Sequence, residues 1–545
     1  MIFRSPHPEV EIPDQSFSEY LFPDLEKRRD RAALIEGGTG RTVTYGELVD
    51  LSTAVALGLI ARGIEPGDVV AICSPNVPEY AIAFHGIAMC GACSTTLNPL
   101  QTVEEISHQI ADSGARLFVT IPPLLEKALA VAGRTEIEDV FVFGDVEEGQ
   151  DATNFSELVD AGHRARQTAA AVGGHDPLET LGDLVADSAE TVVTLPYSSG
   201  TTGKPKGVML THRNLVANIE QYLLADPVEE DEVVIAVLPF FHIYGMVVVM
   251  SACLRAGATL VTLPRFDLEQ FLGTIQEHRV TRAYLVPPII LALAKHPLID
   301  DYDLSSLEYV TSGAAPLGAE VALSCQNRLG VRVSQGYGLT EASPVTHLRP
   351  LTDPGTERIG TVGPCLSNTE VCVVDLDSGA RLGPGGEGEV WIRGPQIMKG
   401  YLNNPEATAA TVDRDGWLHT GDVGCVDEDG FLTIVDRAKE LIKYKGYQVP
   451  PAELEDLLLS HPSVADAAVI PSPDEESGEV PKAFVVSSGE VTEDEIMAFV
   501  AERVAPYKKI RLVEFIDEVP KSPSGKILRR ILVQREREAA AARRG

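Results

Sequence analysis

Residues Tyr197–Gly207 read Tyr-Ser-Ser-Gly-Thr-Thr-Gly-Lys-Pro-Lys-Gly: four serine or threonine hydroxyls, three glycines and two lysines in eleven positions. Glycine lets backbone N–H groups approach an anion, hydroxyls donate hydrogen bonds and lysine supplies charge. The apolar run Val192–Pro196 before it reads as a buried strand. A loop of that composition after a strand suits a polyphosphate. It is not a P-loop, because Lys204 is followed by Pro205 where a Mg²⁺-ligating Ser or Thr would be needed, and proline resists a helix interior. A flexible linker is the plain alternative, but Lys-Pro-Lys-Gly runs directly into apolar Val208-Met209-Leu210.

Five further segments carry residues able to do chemistry. In Gln335-Gly336-Tyr337-Gly338-Leu339-Thr340-Glu341, glycines beside Tyr337 let the backbone approach a flat base and a phosphate. The Glu341 carboxylate suits a hard cation such as Mg²⁺; an ordinary glycine-rich turn is the competing reading. In Trp417-Leu418-His419-Thr420-Gly421-Asp422, the aspartate offers two oxygens to a vicinal diol, or is a turn residue. Val435–Tyr447 crowds one arginine and three lysines around Gly446 in a chain whose net charge is −35, so it reads as a hinge with an anion site or as a solvated charged face. In Pro520–Arg530, Lys526 follows Ser-Gly and can swing. Pro239-Phe240-Phe241-His242-Ile243-Tyr244-Gly245 sets an imidazole and a phenol among aromatics, as an acyl pocket or a structural histidine would.

These segments, in this order, resemble the adenylate-forming superfamily of acyl-CoA synthetases, luciferases and peptide-synthetase adenylation domains, and the resemblance covers nearly the whole chain. Pro239–Tyr244, Ser312–Pro316 and Lys439–Gly446 resemble 4-coumarate–CoA ligases and related acyl-CoA synthetases. The resemblance implies that Ser198, Ser199, Gly200, Thr201, Thr202, Gly203 and Lys206 hold ATP phosphates, with Thr201 and Glu341 at Mg²⁺. Ala314, Gln335, Gly336, Tyr337 and Gly338 belong to the nucleotide site, Tyr337 near the adenine, while Thr340 meets the α-phosphate. Asp422 and Arg437 contact the ribose. Lys526 serves adenylation, where charge builds on the α-phosphate oxygens. Lys443, Lys445 and Gly446 serve CoA and thioester formation, and the hinge lies at Asp436 to Lys439. The acyl pocket takes its walls from His242, Tyr244, Val248, Lys295, Gly313, Ala314, Gly338, Pro344 and Val345.

The resemblance implies an ATP-dependent carboxylate–CoA ligase. An inert acid becomes an acyl-adenylate with release of pyrophosphate, and a thiol then displaces AMP. The implied partners are ATP, Mg²⁺, CoA and a small carboxylic acid of the aryl-propenoic kind. Benzoate-type or medium-chain fatty acids, and a carrier-protein thiol or oxygen as acceptor, remain alternatives. Valine at 248 stands where hydroxycinnamate ligases tend to have a small hydroxyl residue, and valine cannot hydrogen-bond a phenol. A non-catalytic nucleotide-binding module would be expected to lack Lys526, Glu341 or Asp422, and all three are present.

Pattern and length give the scaffold that holds these residues. At 545 residues the chain requires two or more domains. Its acidity argues against nucleic acid or an anionic membrane as partner. No run approaches membrane-spanning length and the N-terminus lacks a signal-peptide core, so cytoplasm is the default compartment.

From Asp68 short apolar strands alternate with helical segments, first through Phe143 and again from Val233 to about residue 329, which predicts parallel sheets covered by helices. Gly144–Glu190, acidic and Ala/Gly-rich, is expected to traverse the surface. Gly360–Val435 changes to short β segments with Gly and Pro turns, and an α+β tail begins after Asp436. The predicted fold is α/β: a large N-terminal domain (1–436) of parallel-sheet subdomains plus a small β-barrel, then a mobile α+β C-terminal domain (437–545). Gly383–Gly388 satisfies G-x-G-x-x-G but leads into a strand, so it reads as a hairpin turn. Cys90 and Cys93 lack a second Cys/His pair and read as buried thiols.

Overall fold

The computed structural model describes residues 1–171, 181, 184–185, 187–198, 205–351, 358–445, 447–474, 477–522 and 525–544. Two eight-stranded sheets form the bulk of the molecule. In the first, Val192–Ser198, Cys93–Leu97, Val69–Cys73, Ala115–Thr120, Asp139–Val142 and Thr153–Asn154 run parallel. The strand Lys206–Thr211 then turns back antiparallel on Val192–Ser198, with Lys206 opposite Ser198. In the second, Arg332–Gly338, Tyr309–Ser312, Arg282–Leu285, Val233–Ala236, Thr259–Thr262 and Ala32–Glu36 run parallel. Val69–Cys73 is a continuous apolar run buried at every position, as a parallel strand covered on both faces is.

The surface traverse expected over Gly144–Glu190 is replaced in part by a helix, Phe155–Ala171, which buries Phe155 and Leu158. It crosses the helix Tyr45–Ala61 so closely that a Cβ on Gly162 would lie 1.8 Å from the Ala54 carbonyl oxygen. Small residues that looked like linker composition are there to let two backbones touch. The β-rich segment forms a five-stranded antiparallel sheet that includes Glu370–Val374, Glu387–Arg393, Leu418–Val426 and Leu432–Arg437. Gly385, in the dinucleotide-like motif, has φ +74° in the turn before Glu387–Arg393. Cys90 and Cys93 are free and buried.

Residues from Ile442 onward build their own cores. One gathers Ile442, Leu454, Leu458, Val469 and Val485; a second gathers Ala468, Ile470, Phe484 and Leu532. The helices Pro451–Ser460 and Glu493–Ala501 flank a sheet whose longest pairing joins Val464–Asp474 to Gly478–Ser487. Among the described residues no helix is long and apolar enough to cross a membrane.

Candidate active site

The C-terminal ends of neighbouring parallel strands commonly carry the site in such sheets, and they do so here. Tyr309–Ser312 and Arg332–Gly338 pair with Ser312 opposite Gln335. Thr311, Ser312, Gly313 and Ala314 leave the first strand, and Gly336, Tyr337 and Gly338 end the second. All seven line one cavity, together with His242, Tyr244, Thr340, Pro344, Val345 and Lys526. The glycines keep its walls close. A Cβ on Gly313 would meet the Tyr244 ring at 2.7 Å, and one on Gly338 would lie 2.1 Å from the Pro344 carbonyl oxygen.

His242 and Tyr244 enter the cavity at the start of a π-helical segment, Tyr244–Ala252, a geometry often found at functional sites. The Tyr244 N–H donates to His242 Nδ1 at 3.3 Å, and the Tyr244 hydroxyl donates to the Thr311 carbonyl at 3.2 Å. Burial, with the Lys526 cation adding to it, pushes the His242 imidazole down to about 3. The ring is therefore neutral near pH 7. With Nδ1 accepting, its proton sits on Nε2 and can be donated to an acid oxygen.

A second pair, Asp422 and Arg437, is set by strand register. Asp422 lies opposite Arg437 across Leu418–Val426 and Leu432–Arg437, and Arg437 Nε is 3.4 Å from Asp422 Oδ1. The Tyr337 hydroxyl donates to Asp422 Oδ2 at 2.5 Å. Burial raises the Asp422 carboxyl, against Arg437, the Tyr337 bond and Lys526.

Lys526 sits on a tight turn. Gly525, at φ +79°, donates its N–H to the Ser522 carbonyl at 2.8 Å, and Lys521 bridges to Ile527. A Cβ on Gly525 would be 3.1 Å from Val286 Cβ, so the turn is seated against the N-terminal part of the chain. Burial and the Arg437 guanidinium push the Lys526 ammonium down, while Asp422, Glu341 and Glu440 oppose them.

Other expected residues stand elsewhere. Lys443 is exposed on the strand Ile442–Tyr444, its N–H donating to Glu479 Oε2 at 2.8 Å, and it is not among the cavity-lining residues. Lys445 lies in the following turn at φ +48°. Val248 is buried on the π-helical segment, where its carbonyl accepts from Cys253 Sγ at 3.5 Å, and is not among the lining residues. Lys295 ends the helix Pro287–Lys295 and donates to the Leu459 carbonyl at 2.8 Å; it ties that helix to the C-terminal part and does not line the cavity.

The Gln335 side chain braces scaffold, accepting from the Leu317 N–H at 3.2 Å and donating to the Ile359 carbonyl at 3.2 Å. Asp436 accepts from the N–H groups of Arg437 and Ala452 at 2.7 and 2.9 Å, and Lys439 lies in the turn after it. Lys206 and Ser198 face each other across the hairpin. Ser199, Gly200, Thr201, Thr202, Gly203, Lys204 and Gly446 lie outside the described residues.

The structure adds lining residues outside every segment singled out in the sequence, Tyr222, Thr311 and Leu348, and three within those segments that had no assigned role, Ile243, Ser312 and Leu339. Tyr222 comes from the interior of the helix His212–Ala225, where only its hydroxyl distinguishes it from core. Glu341 presents a carboxylate on the short 3₁₀ turn Thr340–Ala342. Among the described residues no three His, Cys, Asp or Glu side chains cluster as a metal cage. A single carboxylate nevertheless fits Mg²⁺, which is usually held by one or two carboxylates and substrate phosphates.

His242 and Tyr244 share one cavity with Tyr337 and Thr340, and Lys526 enters it from the C-terminal part of the chain, as expected of an adenylate-forming enzyme. The chain belongs to the AMP-binding enzyme family: that family matches residues 22–402, and the AMP-binding enzyme C-terminal domain matches residues 453–526. Among its relatives are 4-coumarate–CoA ligase 5 of Oryza sativa subsp. japonica, 45% identical over 97% of this chain and 96% of that one, and 4-coumarate–CoA ligase 3 of Arabidopsis thaliana, 43% identical over 97% and 93%. Similar solved structures include the anthranilate CoA ligase AuaEII in complex with anthranoyl-AMP (TM-score 0.87, 25% identity, 98% of this chain and 99% of that one). ATP-bound MatB from Rhodopseudomonas palustris is another (TM-score 0.83, 28% identity, 95% and 98%).

Proposed function

We propose that this chain is an ATP-dependent carboxylate–CoA ligase whose acid is an aryl-propenoic acid of the 4-coumarate kind. The observation that carries the reading is Lys526 lining one cavity with His242, Tyr337 and Thr340. An ammonium there lies where charge builds on the α-phosphate as the acid attacks ATP. Neutral His242 donates Nε2–H to the acid and helps orient it. The Asp422 carboxylate and Arg437 guanidinium receive the ribose, and Tyr337 stands beside the base. Mg²⁺, held by Glu341 and the phosphates, supplies charge neutralisation on the polyphosphate. The arrangement supports the adenylation pose, with Lys526 in and Lys443 out. Rotation about Asp436 to Lys439, between domains 1–436 and 437–545, exchanges the two lysines for the CoA step.

Two observations support a flat, hydroxylated acid. Three glycines line a cavity wall that leaves no room for a side chain at Gly313, packed on the Tyr244 ring, or at Gly338, packed on the Pro344 carbonyl. The hydroxyls of Thr311 and Ser312 are buried without a hydrogen-bond partner among the described residues and belong to the same lining. Buried hydroxyls left unpaired are costly, so a phenol that reaches them is favoured over a bare ring, in spite of Val248.

The test is a panel of cinnamate, 4-coumarate, benzoate and medium-chain fatty acids with ATP and CoA, scoring AMP, pyrophosphate and thioester together. The expected result is stoichiometric thioester and AMP with 4-coumarate preferred over cinnamate, and Thr311→Val narrowing that preference. No AMP with any acid would end the ligase reading. Equal rates with both ring acids would end the phenol reading alone.

A further inference from the structure

Tyr401 has no part in the chemistry above, yet it is buried between two groups that do. Its hydroxyl donates to Glu341 Oε1 at 2.8 Å, and the Lys206 ammonium lies 4.8 Å from the centre of its ring. The backbone explains the meeting. Gly400–Tyr401 is a short strand antiparallel to Lys206–Thr211, with Val208 opposite Tyr401. Lys206 is two residues from Val208, so Lys206 and Tyr401 are diagonal neighbours on one face.

The same short segment grips both sides of the site. The Leu402 N–H donates to the Gly207 carbonyl at 2.8 Å, and the Lys399 N–H donates to the Met209 carbonyl at 3.0 Å. The Met398 N–H donates to the Glu341 carbonyl at 2.9 Å. Thr408 Oγ1 accepts from the Tyr401 N–H at 2.9 Å and fixes the residue from its own backbone.

We propose that Tyr401 is a positioning residue that aims the Glu341 carboxylate at the ATP-bound cation and locks it in register with Lys206 on the phosphate hairpin. One carboxylate oxygen is engaged by the phenol, and the carboxylate keeps its second oxygen for the metal. The inference rests on the reading of Glu341 as a metal ligand. Burial, and then the Glu341 charge, push the Tyr401 phenol above its ordinary value, so it remains a donor at neutral pH. A bond from a neutral donor to an ionised acceptor is among the stronger ones, and partners that orient a metal's ligands commonly change its affinity 10–100-fold. If the ring were only filling space, phenylalanine would serve as well.

The experiment compares the full-length protein with Tyr401→Phe and Glu341→Gln. Mn²⁺ binding is titrated by electron paramagnetic resonance in the presence of ATP, and pyrophosphate exchange is followed against Mg²⁺ concentration. Tyr401→Phe keeps the ring over Lys206 and removes the hydroxyl. It is expected to weaken Mn²⁺ binding about tenfold. It should also raise the Mg²⁺ concentration needed for half-maximal exchange by a similar factor. Glu341→Gln should weaken Mn²⁺ binding at least as much. If Glu341→Gln weakens binding while Tyr401→Phe matches wild type in both readouts, the positioning role is wrong and the metal reading stands. If Glu341→Gln binds Mn²⁺ like wild type, the metal reading falls and the proposal with it.

Discussion

Two lysines divide the proposed reaction between them at the scale of single residues. Lys526→Ala should lower pyrophosphate exchange by about 10²–10³ while leaving thioester formation from supplied acyl-AMP intact. Lys443→Ala should do the reverse, and equal loss of both half-reactions in either variant would contradict the division. His242 yields a pH prediction. Because burial first and Lys526 second push its imidazole down to about 3, its ring should show no protonation between pH 8 and pH 5 when followed by NMR. A titration near the ordinary value of 6.5 would remove the neutral donor from the mechanism. Lys526, Asp422 and Glu341 were legible in the sequence only through motifs that resemble the adenylate-forming superfamily, because one carboxylate is inconspicuous among 80 Asp and Glu residues. Tyr222, Thr311 and Tyr401 were not, because an ordinary hydroxyl acquires a role only when distant elements bring it to a cavity or to a carboxylate.

Helix ends and strand registers decide what those residues meet. The Lys295 side chain, expected on the acyl wall, instead reaches the Leu459 carbonyl at the end of Pro451–Ser460. The last carbonyls of a helix lack intrahelical partners, and a lysine is a common donor to them. Its helix was readable from pattern; which domain the ammonium reached was not. Lys295→Ala should therefore lower the adenylation rate by up to about tenfold, the worth of one hydrogen bond, with the KM for acid unchanged. A shift in acid KM alone would return Lys295 to the pocket. Gly338→Ala tests the cavity wall, since the added methyl meets the Pro344 carbonyl oxygen at 2.1 Å. Overpacking of this kind costs about 1–3 kcal/mol, and steady-state kinetics should show activity lost with every acid alike.

At the scale of the whole molecule, the alternation of strand and helix predicted both large sheets. Parallel strands buried on two faces leave an unmistakable apolar run. The helix Phe155–Ala171 escaped because its buried face depends on close contact at Gly162, which reads as linker composition. One buried residue lends a stability test. Both His85 nitrogens are buried without a partner among the described residues, the ring packs against Phe17, Phe22 and Phe84, and burial pushes its pKa from 6.5 to about 3. Below pH 6.5 the unfolded state takes up a proton that the folded state refuses, so stability at this position falls as pH falls toward about 3. His85→Leu removes that uptake. Urea midpoints should show wild type losing about 1.4 kcal/mol per pH unit relative to the variant below pH 6; parallel midpoints at pH 7 and pH 5 would refute it.

Lys526 lines the cavity from a core that is separate from the sheets enclosing the rest of it. On the proposed rotation about Asp436 to Lys439, the reaction vessel has one removable side, and that side carries the reagent. Acid and ATP must be loaded before it shuts, and the thiol is admitted only after it swings away. Such a box imposes a timetable: pyrophosphate departs before CoA arrives, and initial rates should trace the parallel lines of a ping-pong sequence when CoA is varied against ATP.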